Sequence, residues 1–180
     1  MTRVNFNKDV KMHLACNKDD LSPVLSFIFF KDGFAYATDG NILVKNKLEE
    51  FCNAENTDLL EGKLLHCDSY KEILKYEIIQ IAEDGIECVD KHNEKAFFYF
   101  SSSECMYPNA DKALMDARLK PSVPLPQISI NLNFIERLRC ALCSGLECKF
   151  TFKGINEPVI LESLEMQSVG LIMPLYSEQL

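Results

Sequence analysis

The chain lacks most of what would mark it as an enzyme, an exported protein or a membrane protein. Seven glycines are spread over 180 residues and none gathers into a glycine-rich loop able to cradle phosphate. The only histidines, His13, His66 and His92, stand in no motif that would set a nucleophile beside its base. His66-Cys67-Asp68 has suitable residue types, but neighbouring side chains on one segment point in different directions and do not form a working triad. No catalytic residue is therefore expected. Residues 1–7 contain no apolar core of export-signal length, and the longest apolar run, Phe27-Ile28-Phe29-Phe30, is far too short to span a bilayer. A cytoplasmic protein is the expectation. Positive charge is also scarce: the net charge of -8 excludes a generally basic coat for nucleic acid, because backbone affinity comes from neutralising phosphates, though it leaves room for a local basic stripe.

Cysteine, by contrast, is plentiful. Eight cysteines without an export signal argue for reduced thiols rather than a disulfide framework. Cys140-Ala141-Leu142-Cys143, with Cys148 close by, has the spacing of half a zinc site, yet no second CxxC and no His-x3-His accompanies it. The thiols are expected to behave as small buried hydrophobes, with no metal and no cofactor.

At 47% hydrophobic, the chain can bury a substantial core. Residues 10–16, 26–30, 34–38 and 42–48 are short β-prone runs turned by Asp32-Gly33 and Asp39-Gly40, a meander. Within residues 69–76, Tyr70, Ile73 and Leu74 share one helical face and Lys71 and Lys75 another. Residues 78–81, 86–89 and 96–100 form a second meander. A second amphipathic helix carries Phe134, Ile135, Leu138 and Leu142, with Arg137 and Arg139 off its apolar stripe. A third meander follows at 146–152, 158–164 and 169–174. The pattern predicts an α+β fold, antiparallel sheets with two amphipathic helices on one face. The proline-rich stretch 120–126 reads as an extended linker, dividing the chain into units 1–119 and 127–180.

Two segments far apart in sequence carry a resemblance. Ala37-Thr38-Asp39-Gly40-Asn41-Ile42-Leu43-Val44 is similar to an ATDGHRL-like turn, and Gly170-Leu171-Ile172-Met173-Pro174-Leu175 to a terminal strand reading like VMPMRL. Both are signatures of the bacterial DNA polymerase sliding clamp, the β subunit of the replicative polymerase, where they lie side by side in a groove that captures short peptides. The likeness extends further. Lys18-Asp19-Asp20-Leu21-Ser22-Pro23-Val24-Leu25 resembles the charged turn of the clamp's middle domain, residues 64–76 its second helix, and Met106-Tyr107-Pro108-Asn109-Ala110-Asp111-Lys112 a linker like FPDYRRV. On this alignment the first domain and the first half of the third are missing, and the middle domain's first helix is nearly gone.

The resemblance implies a DNA-clamp-like, non-enzymatic protein. Its peptide groove would be built from Thr38, Gly40, Asn41 and Leu43, from Pro108 and Lys112, and from Leu171, Met173, Pro174 and Leu175. The implied partners are peptide motifs of DNA polymerases or repair proteins, which would insert leucine or phenylalanine. The family's histidine and arginine after the glycine are Asn41 and Ile42 here, and its linker tyrosine is Ala110, so the ligand preference need not follow the family's. The resemblance also puts Lys71, Lys75, Arg137 and Arg139 on helices that face duplex DNA, and implies a homo-oligomer if the duplex is encircled. Against these readings stand a core strand at 171–175, an ordinary Asp-Gly turn, a merely solvated charged face, and an adaptor unrelated to DNA that reuses the fold.

Overall fold

Asp32 and Gly33 both adopt positive φ, 51° and 75°, the twisted two-residue turn that joins β1 (Phe27–Lys31) to β2 (Phe34–Thr38) in tight antiparallel register. The computed structural model describes residues 3–17, 22–101, 106–122, 124, 127–143, 145 and 147–176. The charged turn at 18–21, Cys105, and parts of the proline-rich stretch (Val123, Leu125, Pro126) lie outside the described residues, as do Ser144 and Leu146.

Strand β3 (Ile42–Lys47) completes the first meander and runs into a single helical turn, α1 (Leu48–Phe51). Strand β4 (Leu64–His66) pairs with β1 and leads directly into helix α2 (Cys67–Ile73). The predicted helix over 64–76 is thus corrected at its start: Leu64 and Leu65 pair with Phe29 and Ile28 across the sheet before the helix begins. Strands β5 (Ile78–Ile81), β6 (Gly85–Val89) and β7 (Lys95–Tyr99) form a separate three-stranded sheet. Helix α3 (Ala110–Leu119) follows, then helix α4 (Leu132–Ala141) and strands β8 (Cys148–Thr151), β9 (Val159–Ser163) and β10 (Val169–Ile172).

The third meander does not stand apart. Strand β10 pairs with β3, joining both meanders into one seven-stranded sheet in the order β4-β1-β2-β3-β10-β9-β8. Strands on opposite sides of the 120–126 stretch in sequence are therefore neighbours in space.

Residues 10–16 were expected as a strand and are not one. Amides of Leu14 and Ala15 bond back to the carbonyls of Lys11 and Met12, closing a 3-10 turn at Met12–Leu14. Met12, Ala15 and Cys16 are all buried, so this piece is covered on several sides rather than on the alternate faces of a strand. It lies between α2 and α4, where Tyr70 donates its hydroxyl to the Val10 carbonyl at 2.7 Å and the Lys11 amide bonds the Cys140 carbonyl at 2.7 Å. The extended pairing falls instead to Val4, which bridges Ile78, and Phe6, which bridges Cys52.

The main core lies between the seven-stranded sheet and the α2 and α4 side. Ile28, Phe30, Ala35, Ala37, Val44 and Ile172 from the strands meet Tyr70, Ile73, Leu138 and Ala141 from the helices. Gly170 has no side chain because α4 comes too close: a Cβ there would lie 2.8 Å from a Leu138 methyl. Two buried asparagines satisfy the helix ends. Asn46 donates to the Ala141 carbonyl at 2.8 Å and accepts from the Cys143 amide at 2.9 Å. Asn5 donates to the carbonyls of Ile73 and Tyr76 at 2.8 and 2.9 Å. Helices leave their last carbonyls unpaired, so each side chain supplies a partner that water cannot reach.

Candidate functional site

The Asp39-Gly40 turn is built from side chain to backbone. Thr38 donates its hydroxyl to the Ile42 carbonyl at 2.6 Å and accepts from the Gly40 amide at 3.1 Å. One Asp39 oxygen accepts from the amides of Asn41 and Ile42 at 2.8 and 2.9 Å. Gly40 takes φ of 89°, a conformation that side chains disfavour. The other Asp39 oxygen lies 2.8 Å from an Arg137 amino group on α4, and the Arg137 Nε donates to the Leu14 carbonyl at 2.7 Å. Turn, helix and 3-10 segment are tied at one point.

Beyond this turn the two signature segments run side by side. Leu171 lies opposite Leu43 and Ile172 opposite Ile42, and past the strand end the Met173 amide donates to the Asn41 carbonyl at 2.8 Å. Strand alternation turns Ile42, Gly170 and Ile172 toward the main core and Leu43, Leu171 and Val169 toward the opposite face. Across that face Thr38, Leu43, Leu171 and Ile160 stand in one cross-strand row, and Tyr36, Lys45, Val169 and Glu162 in the next.

Helix α3 lies on these rows, and the sequence reading missed it by treating 106–112 as linker. Asn109 caps it, accepting from the Lys112 amide at 2.9 Å, and Ala110, Leu114 and Ala117 form its buried stripe. They pack on Tyr36, Leu43, Ile160 and Leu171 as a second apolar cluster. Asp111 fixes the start of the helix: Tyr36 donates to its carboxylate at 3.0 Å and Lys45 at 2.6 Å. Partial burial would raise the Asp111 carboxyl, but hydrogen bonds from Lys45 and Tyr36 and the charges of Lys45 and Lys31 outweigh it, so the net shift is downward. The Tyr36 hydroxyl is pushed far above its ordinary range by burial and by the Asp111 hydrogen bond. Near the other end of α3, Arg118 pairs with Glu162 at 2.8 Å.

The expected groove residues accordingly divide. Leu43 and Leu171 are 7% and 6% exposed under α3, and Thr38 is buried by its own turn. Gly40, Asn41, Pro108 and Lys112 are exposed and Pro174 half-buried. Met173 and Leu175 are 38% and 48% exposed, with the Leu175 amide bonded to the Ser129 carbonyl. A cavity of about 470 Å³ opens beside the start of α3, lined by Phe29, Tyr36, Leu64, Tyr107, Pro108 and Asp111; of the expected groove residues it includes Pro108 alone.

The cations expected to face DNA also divide. Lys71 is exposed on α2 and Lys75 in the turn that follows it, bonded to Glu72 at 2.6 Å, and Arg139 is exposed on α4. Arg137, part-exposed, is instead bonded to Asp39 and to the Leu14 carbonyl. The histidines lie apart: His13 is buried, His66 accepts the Asp68 amide at the start of α2, and His92 is exposed after β6. Ligand atoms of His66, Cys67 and Asp68 come within 4.8 Å of one another. Cys16, Cys52, Cys67, Cys88 and Cys143 are buried thiols in no disulfide, and Cys140 and Cys148 are half-buried. Burial pushes Cys52 and Cys143 up to about 11 and Cys88 to about 12, which keeps them protonated and inert at neutral pH. No helix among the described residues is long and apolar enough to cross a membrane.

No family model matches the sequence, and no curated protein matches it. Solved structures do match. The DNA polymerase sliding clamp of Bacillus subtilis superposes with a TM-score of 0.63 at 15% identity, covering 98% of this chain. The polymerase III beta chain of Streptococcus pneumoniae gives 0.66 at 17% identity over 94% of this chain, and the beta sliding clamp of C. crescentus 0.65 at 11% over 98%. The fold is that of a bacterial sliding clamp. This clamp fold is shorter than its neighbours, spanning 64%, 62% and 66% of their respective lengths. At these identities the likeness establishes the architecture, and the roles of individual side chains rest on the chain's own geometry.

Proposed function

We propose that this clamp-fold chain is a non-enzymatic binding module that captures short apolar peptides of DNA polymerases or repair proteins. The observation that carries the reading is the β3–β10 pairing, which brings two signature segments more than a hundred residues apart to one strand end, with Met173 bonded to Asn41. Exposed Met173 and Leu175, half-buried Pro174 and the polar Gly40-Asn41 turn supply an apolar surface with a polar rim. Methionine and leucine adapt to aromatic and aliphatic anchors and exclude water around them, which suits leucine or phenylalanine insertion. The test is fluorescence anisotropy with a short fluorescein-labelled peptide carrying a Leu-Phe pair, against a Met173→Ala, Leu175→Ala variant. Both side chains are part-exposed and belong to neither apolar cluster, so the variant should keep its melting temperature and lose peptide affinity about tenfold or more. Unchanged affinity would sink the groove reading.

An oligomer that surrounds duplex DNA is the second reading, and one observation favours it. Strands β7 and β8 end their sheets, and among the described residues no strand pairs with their outer edges, which carry exposed Phe97, Tyr99 and Phe150. Such edges are templates for another chain. Light scattering with and without duplex DNA, at low and moderate salt, decides it: a monomer at every condition removes this reading, whereas a salt-sensitive, ring-sized complex supports it.

A further inference from the structure

The helix that closes over Leu43 and Leu171 has the features of a bound ligand. Its buried stripe holds one large side chain, Leu114, between Ala110 and Ala117, while Met115 and Leu119 point to solvent at 57% and 75% exposure. The cluster it forms with Tyr36, Leu43, Ile160 and Leu171 is separate from the main core. Its polar attachments lie near its ends: Asp111 to Lys45 and Tyr36 at the start, and at the finish Arg118 to Glu162, Lys120 to Glu157 and the Lys153 ammonium to the Arg118 carbonyl, with side chains of the three ion pairs between 21% and 50% exposed. Pro108 precedes the capping Asn109 and Pro121 follows the last turn, so extended backbone flanks the helix at both ends. Ten residues do not hold a helix in water alone, so α3 keeps its shape only while docked.

We propose that α3 is an intramolecular occupant of the peptide groove, and that the partner displacing it is an amphipathic segment that repeats its contacts, above all the carboxylate on Lys45. This rests on the groove reading. The partner supplies a leucine where Leu114 sits, small residues on either side, and a carboxylate one turn earlier for Lys45. Lys45 sets that last requirement. Its ammonium lies 4.2 Å from the Phe34 ring centroid and 5.3 Å from that of Tyr36, and loses its Asp111 carboxylate when α3 leaves. A segment with no carboxylate at that position leaves the charge without its partner. Occupancy is then a competition, and the apparent affinity of any peptide is reduced by the fraction of molecules in which α3 is docked.

The probe is a labelled peptide copying residues 109–120 of this chain, added to the full chain as wild type, Asp111→Asn and Leu114→Ala, with hydrogen exchange measured on the same samples. Removing the part-exposed latch in Asp111→Asn should raise probe affinity about three- to tenfold. Removing the buried leucine should raise it about tenfold or more. In both variants the α3 amides should exchange faster while those of β3 and β10 do not change. A probe with alanine in place of the leucine that copies Leu114 should bind none of the three. Faster exchange without any gain in affinity overturns the proposal, as does exchange in both variants no faster than in wild type. If the Leu-Phe peptide binds wild type and variants equally, the groove stands and α3 is not its occupant. If neither peptide binds a variant whose α3 has come loose, the groove reading falls together with this one.

Discussion

Replacing Arg137 by methionine separates a structural bridge from a DNA-facing cation. In the folded chain the guanidinium lies 2.8 Å from Asp39, with the two side chains 30% and 8% exposed, and bonds the Leu14 carbonyl at 2.7 Å. Fully exposed pairs are worth less than about 1 kcal/mol, whereas breaking a fully buried one costs about 3–5 kcal/mol. This pair falls between the limits. Methionine retains most of the apolar stem and deletes the charge and its donors. Asp39 keeps its bonds from the Asn41 and Ile42 amides but is left nearly enclosed without a counter-charge. A loss of about 2–3 kcal/mol at neutral pH follows. For a domain of this size that lowers Tm by about 4–12 °C. Urea unfolding followed by circular dichroism measures it, and adding Asp39→Asn to Arg137→Met should recover part of the loss, since an amide needs no counter-charge. Stability unchanged within about 0.5 kcal/mol, together with weaker binding of duplex DNA, would refute the structural role and return Arg137 to the DNA-facing set.

Other consequences can be checked with the same material. Asn46→Ala strands the Ala141 carbonyl and the Cys143 amide in the interior, and should cost about 2–4 kcal/mol in urea unfolding. The Asp111 carboxyl is held below its ordinary value, so its contribution to α3 docking is complete above the ordinary carboxylate range and is lost as pH falls through the lowered value of the folded state. Leu114 methyl signals followed by NMR should therefore report release of α3 on acidification, and Asp111→Asn should remove that dependence. Alkylation of the native protein, mapped by mass spectrometry, should label Cys140 and Cys148 well before Cys16, Cys52, Cys67, Cys88 and Cys143, and unfolding should abolish the difference.

Those elements whose sequence signal is local are the ones that could be read directly. Asp32-Gly33 specifies a turn with both residues at positive φ, and the meander around it forms as its alternation requires. Phe134, Ile135 and Leu138 lie on the stripe of α4 that meets the core. Residues 10–16 form a short apolar run that reads as a strand, whereas their setting between two helices buries several sides at once and rewards a closed turn. Helix α3 was hidden for a different reason. Two of its three core contacts are alanines, so its stripe carries little hydrophobic contrast, and the only local signals were the capping Asn109 and the spacing of 110, 114 and 117.

The site shows a second kind of limit. That Leu43 and Leu171 would be neighbours followed from resemblance, since no local rule pairs strands this far apart in sequence. That both would be covered could not follow, because the cover is a helix whose place depends on one tyrosine, one lysine and one aspartate meeting across the sheet. The same holds for Arg137. Its position off the apolar stripe of α4 is legible as a pattern, but the pattern cannot tell a solvated cation from one opposite a carboxylate, and Asp39 is supplied by a turn nearly a hundred residues away. Charge on a helix face thus becomes a functional argument only when its partner is known. Here the partner turns a candidate DNA contact into the strut that holds the Gly40-Asn41 turn beside Met173.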